Sequence, residues 1–109
     1  MSIEFLSAKD QTIILQCMKA VGELIEEPEM RSRLGIGREE LDAQIAQWPD
    51  IDDRDRQSNS FLAINQSLNE ICHGLSADEW TNLIDATLDE VRETYREWLR
   101  MQNIRGGIR

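Results

Sequence analysis

The apolar residues of this chain recur at helical spacing, and the pattern recurs a second time fifty residues later. Slid by that offset, "LGIGREELDAQIAQW" from Leu34 falls on "IDATLDEVRETYREW" from Ile84, so that Leu41 meets Val91, Ile45 meets Tyr95 and Trp48 meets Trp98. Upstream, Ile14, Met18, Val21 and Ile25 meet Ile64, Leu68, Ile71 and Leu75. Few of these pairs are identical, and any two amphipathic helices share a stripe, so inheritance from one unit and common periodicity both explain the match. Either way, each half reads as a long helix, a short helix, a tight turn and a second long helix. Neither half can bury its stripe alone, so the two must pack on each other.

Local punctuation sharpens this all-α expectation of about six helices. Ser7 followed by Asp10 is an N-cap signature, opening a helix whose apolar face runs from Ile13 to Ile25. Pro28 opens a short helix that Gly35 stops, and Gly37 caps the next, which ends at Pro49 because the residue before a proline is pushed out of the α region. Ser58 or Ser60 caps a helix through Ile71, closed by Gly74. Ser76 with Glu79, then Thr87 with Glu90, form two further capping boxes. No strand candidate survives. The chain of 109 residues is one domain, with halves at 8–48 and 58–103, an acidic loop at 49–57 and a tail at 104–109 expected to fray.

Charge narrows the partners. Twelve basic against 21 acidic side chains give a net charge of −9. Nucleic acid and anionic membrane surfaces are disfavoured, because both draw affinity from Lys and Arg. A helix-turn-helix reading of "RLGIGREELDAQI" fails on the same ground, since Glu39, Glu40 and Asp42 stand where bases or amides are needed. A cation or a basic protein surface is the complementary partner. No basic leader or long apolar run is visible, so a cytoplasmic protein is expected. Cys17 and Cys72 sit among apolar neighbours without metal-ligand spacing and read as buried thiols, while His73 reads as a helix-end residue before Gly74. With no phosphate loop and no nucleophile near a histidine, the chain is expected to be non-enzymatic.

The feature with most chemistry is "WPDIDDRDRQSNSFLAINQSLNEI". Calcium takes six to eight oxygens, which a flexible loop bearing Asp50, Asp52, Asp53 and Asp55 can turn inward, with Asn65 and Asn69, one turn apart on the next helix, as neutral donors. It is no EF-hand: counted from Asp50, Asp55 stands where glycine is required and Phe61 where a bidentate glutamate is required. The plainer explanation is a solvated flank that complements the dipole of the following helix, with the asparagines hydrogen-bonding backbone or the other half.

The segments "WPDIDD", "FLAINQSLNEI" and the opening "MSIEFLSAKDQTIILQCMKA" resemble the small acidic calcium-binding proteins of filamentous cyanobacteria and their bacterial relatives. The resemblance covers about two thirds of the chain. It implies an all-α cytoplasmic protein that buffers or senses calcium through surface carboxylates, with Asp50, Asp52, Asp53 and Asp55 in that role. Arg54 and Arg56, inside the loop, depart from the pattern and lower the expected affinity. The other function consistent with the sequence is an acidic interaction module that regulates or inhibits a basic partner protein.

Overall fold

The computed structural model describes residues 2–105, which form six α-helices and no strand. A 3-10 turn, Ser2–Phe5, precedes α1 (Ala8–Leu24), α2 (Glu29–Leu34) and α3 (Arg38–Gln47). The second half holds α4 (Asn59–Asn69), which continues as one π-helical turn at Glu70–Gly74, then α5 (Ala77–Trp80) and α6 (Leu88–Arg105). Among the described residues no helix is long and apolar enough to cross a membrane.

The expected caps form, with refinements. The Ser7 and Ser58 hydroxyls accept the amides of Asp10 and Phe61 at 3.0 and 3.1 Å, so Ser58 rather than Ser60 opens α4. The Glu90 carboxylate takes the Thr87 amide at 2.9 Å while the Thr87 hydroxyl takes the Glu90 amide at 3.1 Å, a complete capping box. At the equivalent start of α3 only half of that arrangement exists, because Gly37 supplies no side-chain oxygen and Glu40 alone reaches back, at 2.8 Å. Gly35 ends α2 at φ 79°, the left-handed conformation that glycine adopts without a Cβ penalty. Two boundaries differ from expectation. Trp80 ends α5, with Leu83 and Ile84 in the following turn, and α6 stays helical through Arg105, past the predicted start of fraying at 104. The remainder of that tail lies outside the described residues.

Burial repeats at the same offset as the sequence. Ile14 and Ile64, Met18 and Leu68, Val21 and Ile71, Met30 and Trp80, Leu34 and Ile84, and Leu41 and Val91 are buried in corresponding places. The polar links between halves repeat too, with the halves exchanged. Ser60 on α4 donates to Gln44 on α3 at 2.6 Å, and Thr94 on α6 donates to Asp10 on α1 at 2.6 Å. Gln16 on α1 accepts the Asp85 amide in the turn before α6, while Gln66 on α4 donates to the Arg33 carbonyl in the corresponding region before α3. A contact that recurs when both partners shift by fifty in opposite directions defines an approximate two-fold axis. It passes between α1 and α4, the long helices that pack on each other at the centre. Each stripe is covered partly within its own half, where α1 packs on α3 and the π-turn on α6, and partly by the other half, where α1 packs on α4 and α6 and α4 on α3.

Candidate functional site

The acidic loop leaves α3 at Pro49 and enters α4 at Ser58, and its aspartates go separate ways. Asp50 is exposed. Asp52, also exposed, accepts the Arg54 guanidinium at 2.6 and 2.9 Å and the Arg54 amide at 3.0 Å. Asp55 folds over the Gln57 amide at 2.9 Å, a turn that leads into the helix. Asp53 points the other way. It is fully buried and one carboxylate oxygen accepts the Trp98 indole N–H at 2.7 Å and the Gln102 amide at 2.8 Å. A buried indole and a buried amide must find an acceptor, and an anionic oxygen is the strongest available. Asp53 therefore fastens the loop to α6.

The two asparagines are also apart in role. Asn65 is half-buried, accepts the Tyr95 hydroxyl at 2.8 Å and donates to Gln66 at 2.8 Å, whereas Asn69 is exposed. Among the described residues no group of three or more His, Cys, Asp or Glu side chains is arranged to hold a metal ion. The donor set of the loop, in this arrangement, is spent on an ion pair, a turn and a buried anchor, leaving Asp50 as its exposed carboxylate without such a role.

Two clefts sit at equivalent places in the halves. The first, about 330 Å³, lies between the end of α1 and α3 and is lined by Lys19, Gly22, Glu23, Arg38, Asp42 and Ile45. The second, about 340 Å³, lies between the π-turn and α6 and is lined by Cys72, His73, Arg92, Tyr95, Arg96 and Leu99. Under the fifty-residue offset Gly22 corresponds to Cys72, Glu23 to His73, Asp42 to Arg92 and Ile45 to Tyr95. The two acids of the first cleft correspond to His73 and Arg92 in the second, while its two bases, Lys19 and Arg38, correspond to the uncharged Asn69 and Leu88. In the first, Arg38 is drawn inward onto the Gly22 and Ile25 carbonyls at 2.6 and 3.2 Å, leaving Glu23 and Asp42 at the rim. In the second, the arginines face solvent, and their carboxylate partners lie three residues earlier on α6: Asp89 at 4.0 Å for Arg92, and Glu93 for Arg96.

Ionisation follows this geometry. Burial pushes the Cys17 thiol well up, with Cys72 adding to the shift. Burial also raises Cys72, against the opposing pull of the Arg92 guanidinium. Tyr95 is raised chiefly by burial of its phenol. Both cysteines are free thiols, as their apolar neighbours indicate, although Cys72 also reaches a cleft wall. The basic cleft escaped sequence reasoning, which singled out His73 only as a helix-end residue. One signal was present: Arg92, Arg96 and Arg100 recur every four residues and so share one side of an otherwise acidic helix. Comparison of the chain with protein-family models, with curated proteins and with solved structures gives no match.

Proposed function

We propose that this protein is a non-catalytic interaction module that presents an acidic face to a basic protein partner. The observation carrying this reading is the distribution of uncommitted carboxylates. Glu23 at the end of α1 and Glu26 just after it, with Glu39 and Asp42 on the adjoining α3, are exposed, and none of the four side chains is engaged by a cation or hydrogen-bond donor among the described residues. Spread over two packed helices, they are too divergent for one ion and well suited to several lysines or arginines. Such a face steers a basic partner at long range and gains specificity from register.

Calcium binding is the second reading. It rests on Asp50, Asp52 and Asp55, which remain on the loop surface, and on the resemblance of the loop to acidic calcium-binding proteins. One pair of titrations separates the two. Hexa-arginine, as a probe of the acidic face, should bind saturably, weaken as salt is raised, and weaken several-fold in a Glu23→Gln, Asp42→Asn variant. Metal-stripped protein titrated with calcium against excess magnesium should show no selective saturation. A calcium-selective site lost in an Asp50→Asn, Asp52→Asn variant would overturn the interaction reading in favour of the metal.

A further inference from the structure

The cleft of the second half has the chemistry of a receptor for a small acid. Its lining includes the apolar or aromatic side chains of Tyr95, Cys72 and Leu99, the last of these 40% exposed. Arg92 and Arg96 stand one turn apart on α6, so both guanidiniums face the same opening, and His73 stands on the opposite wall. Each guanidinium carries five N–H donors, and single exposed pairs with Asp89 and Glu93 leave donors over. Arginine forks match carboxylates in a bidentate geometry, and a volume of about 340 Å³ lies at the small end of ligand pockets.

Two further observations set this cleft apart. It lies at the place equivalent to the charge-balanced cleft of the first half, and in it Arg92 stands for Asp42, His73 for Glu23 and Arg96 for Ala46, while Lys19 and Arg38 correspond to the uncharged Asn69 and Leu88. The opening is thus lined by two arginines and a histidine with no carboxylate among its lining residues, on a chain of net charge −9, and the partners Asp89 and Glu93 stand outside that lining. The wall that carries Cys72 and His73 is the only π-helical segment among the described residues, whereas α1 stays α-helical at the corresponding place. A π-turn inserts a residue into the helical ladder and re-aims the side chains around it, a distortion found often at functional sites.

We propose that the cleft between the π-turn and α6 binds a small organic carboxylate with an apolar body, its carboxylate held by Arg92 and Arg96 and its body laid against Tyr95 and Leu99. The site is independent of the acidic face described above. The test uses the full chain, labelled with nitrogen-15 and titrated with phenylacetate, with the neutral isostere phenylacetamide as comparator. Saturable shifts are expected at Cys72, His73, Tyr95 and Leu99, with a Kd of roughly 1 mM or tighter, and binding of the amide at least about tenfold weaker. An Arg92→Gln, Arg96→Gln variant, whose amide spectrum away from α6 should match the parent, is expected to lose at least about tenfold in phenylacetate affinity. A Leu99→Ser variant should lose affinity for phenylacetate while binding of acetate is unchanged. Non-saturating shifts to about 20 mM, equal binding of acid and amide, or unchanged binding by the arginine variant would each overturn the proposal.

Discussion

The two clefts sit at related places and differ in charge: the first sets Lys19 and Arg38 beside Glu23 and Asp42, whereas the second is lined by Arg92, Arg96 and His73 with no carboxylate. In both, a long helix meets the second long helix of its own half, and four of the six lining positions correspond, Gly22 with Cys72, Glu23 with His73, Asp42 with Arg92 and Ile45 with Tyr95. What differs is outside the core: Glu23 against His73, Asp42 against Arg92, a regular helix against a π-turn. Core positions of the two halves are constrained because each buries the other, so their apolar character must be kept. Rim positions carry no such constraint, and changing their charge costs the fold little. A two-fold arrangement can therefore hold different surface chemistries on one scaffold.

The anchoring of the two tryptophans offers the sharpest way to break the equivalence. Trp98 is fully buried, stacks with Tyr95, meets the tilted ring of Phe61 and donates to Asp53, while Trp48 at the corresponding place is half-buried and makes no side-chain hydrogen bond among the described residues. Asp53→Ala leaves a buried indole N–H and a buried amide without their acceptor, and should cost about 2–5 kcal/mol in urea denaturation. Asp50→Ala, three residues earlier and exposed, should stay within about 0.5 kcal/mol. Similar losses for both would remove Asp53 from its role as the anchor of the loop.

A smaller asymmetry lies in the turns. Gly35 needs its positive φ, and an added Cβ would meet Leu62 only at an ordinary 3.6 Å, so the penalty of Gly35→Ala is conformational rather than steric crowding. About 1–2 kcal/mol is expected. Asp85, its counterpart, has no positive φ and offers its backbone amide to Gln16, so Asp85→Ala should change stability by less than about 0.5 kcal/mol. Equal effects in the two variants would show that the turns are conformationally alike.

At the centre, Ser67 of α4 stands where α1 has Cys17, and its buried hydroxyl has no hydrogen-bond partner among the described residues. Ser67→Ala removes a desolvated polar group and improves helix propensity, and a gain of about 0.5–1 kcal/mol is expected. A loss in thermal or chemical denaturation would mean that the oxygen is satisfied in solution.

The smallest effect concerns the ion pair of Lys9 with Glu90, which ties α1 to α6 at 2.6 Å and has no counterpart at Asn59 and Glu40. The hydrogen bond from Lys9 holds the Glu90 carboxyl below its ordinary value of 4.5, and the partner raises Lys9 above 10.5. Glu90 therefore contributes stability above about pH 4.5 that is lost as pH falls through its folded value, and Lys9 contributes below 10.5, lost as pH rises past its own. Glu90→Gln keeps an acceptor for the Thr87 amide and removes the charge. The parent should lose slightly more stability than this variant between pH 5 and pH 3, an effect that salt suppresses because both groups are exposed. Identical pH profiles would make the pair energetically silent.

The helices, their caps and the pairing of buried positions across fifty residues were legible because periodicity and capping are local. Ser7, Ser58, Gly35 and Thr87 act through neighbours within four residues, and the apolar stripe records only that a face must be covered. Local pattern was enough to require an all-α chain of about six helices whose apolar stripe repeats at an offset of fifty residues. Which aspartate of the loop is buried was decided by Trp98 and Gln102, more than forty residues away, whose donors had to be met in the interior. The sequence could also show that Arg92 and Arg96 share a helix face, but only packing of α6 against the π-turn sets them opposite His73 at the mouth of a cleft. Local pattern fixes which groups exist and on which side of a helix they lie. Long-range contacts fix which of them meet, because burial and hydrogen-bond satisfaction are properties of the assembled interior.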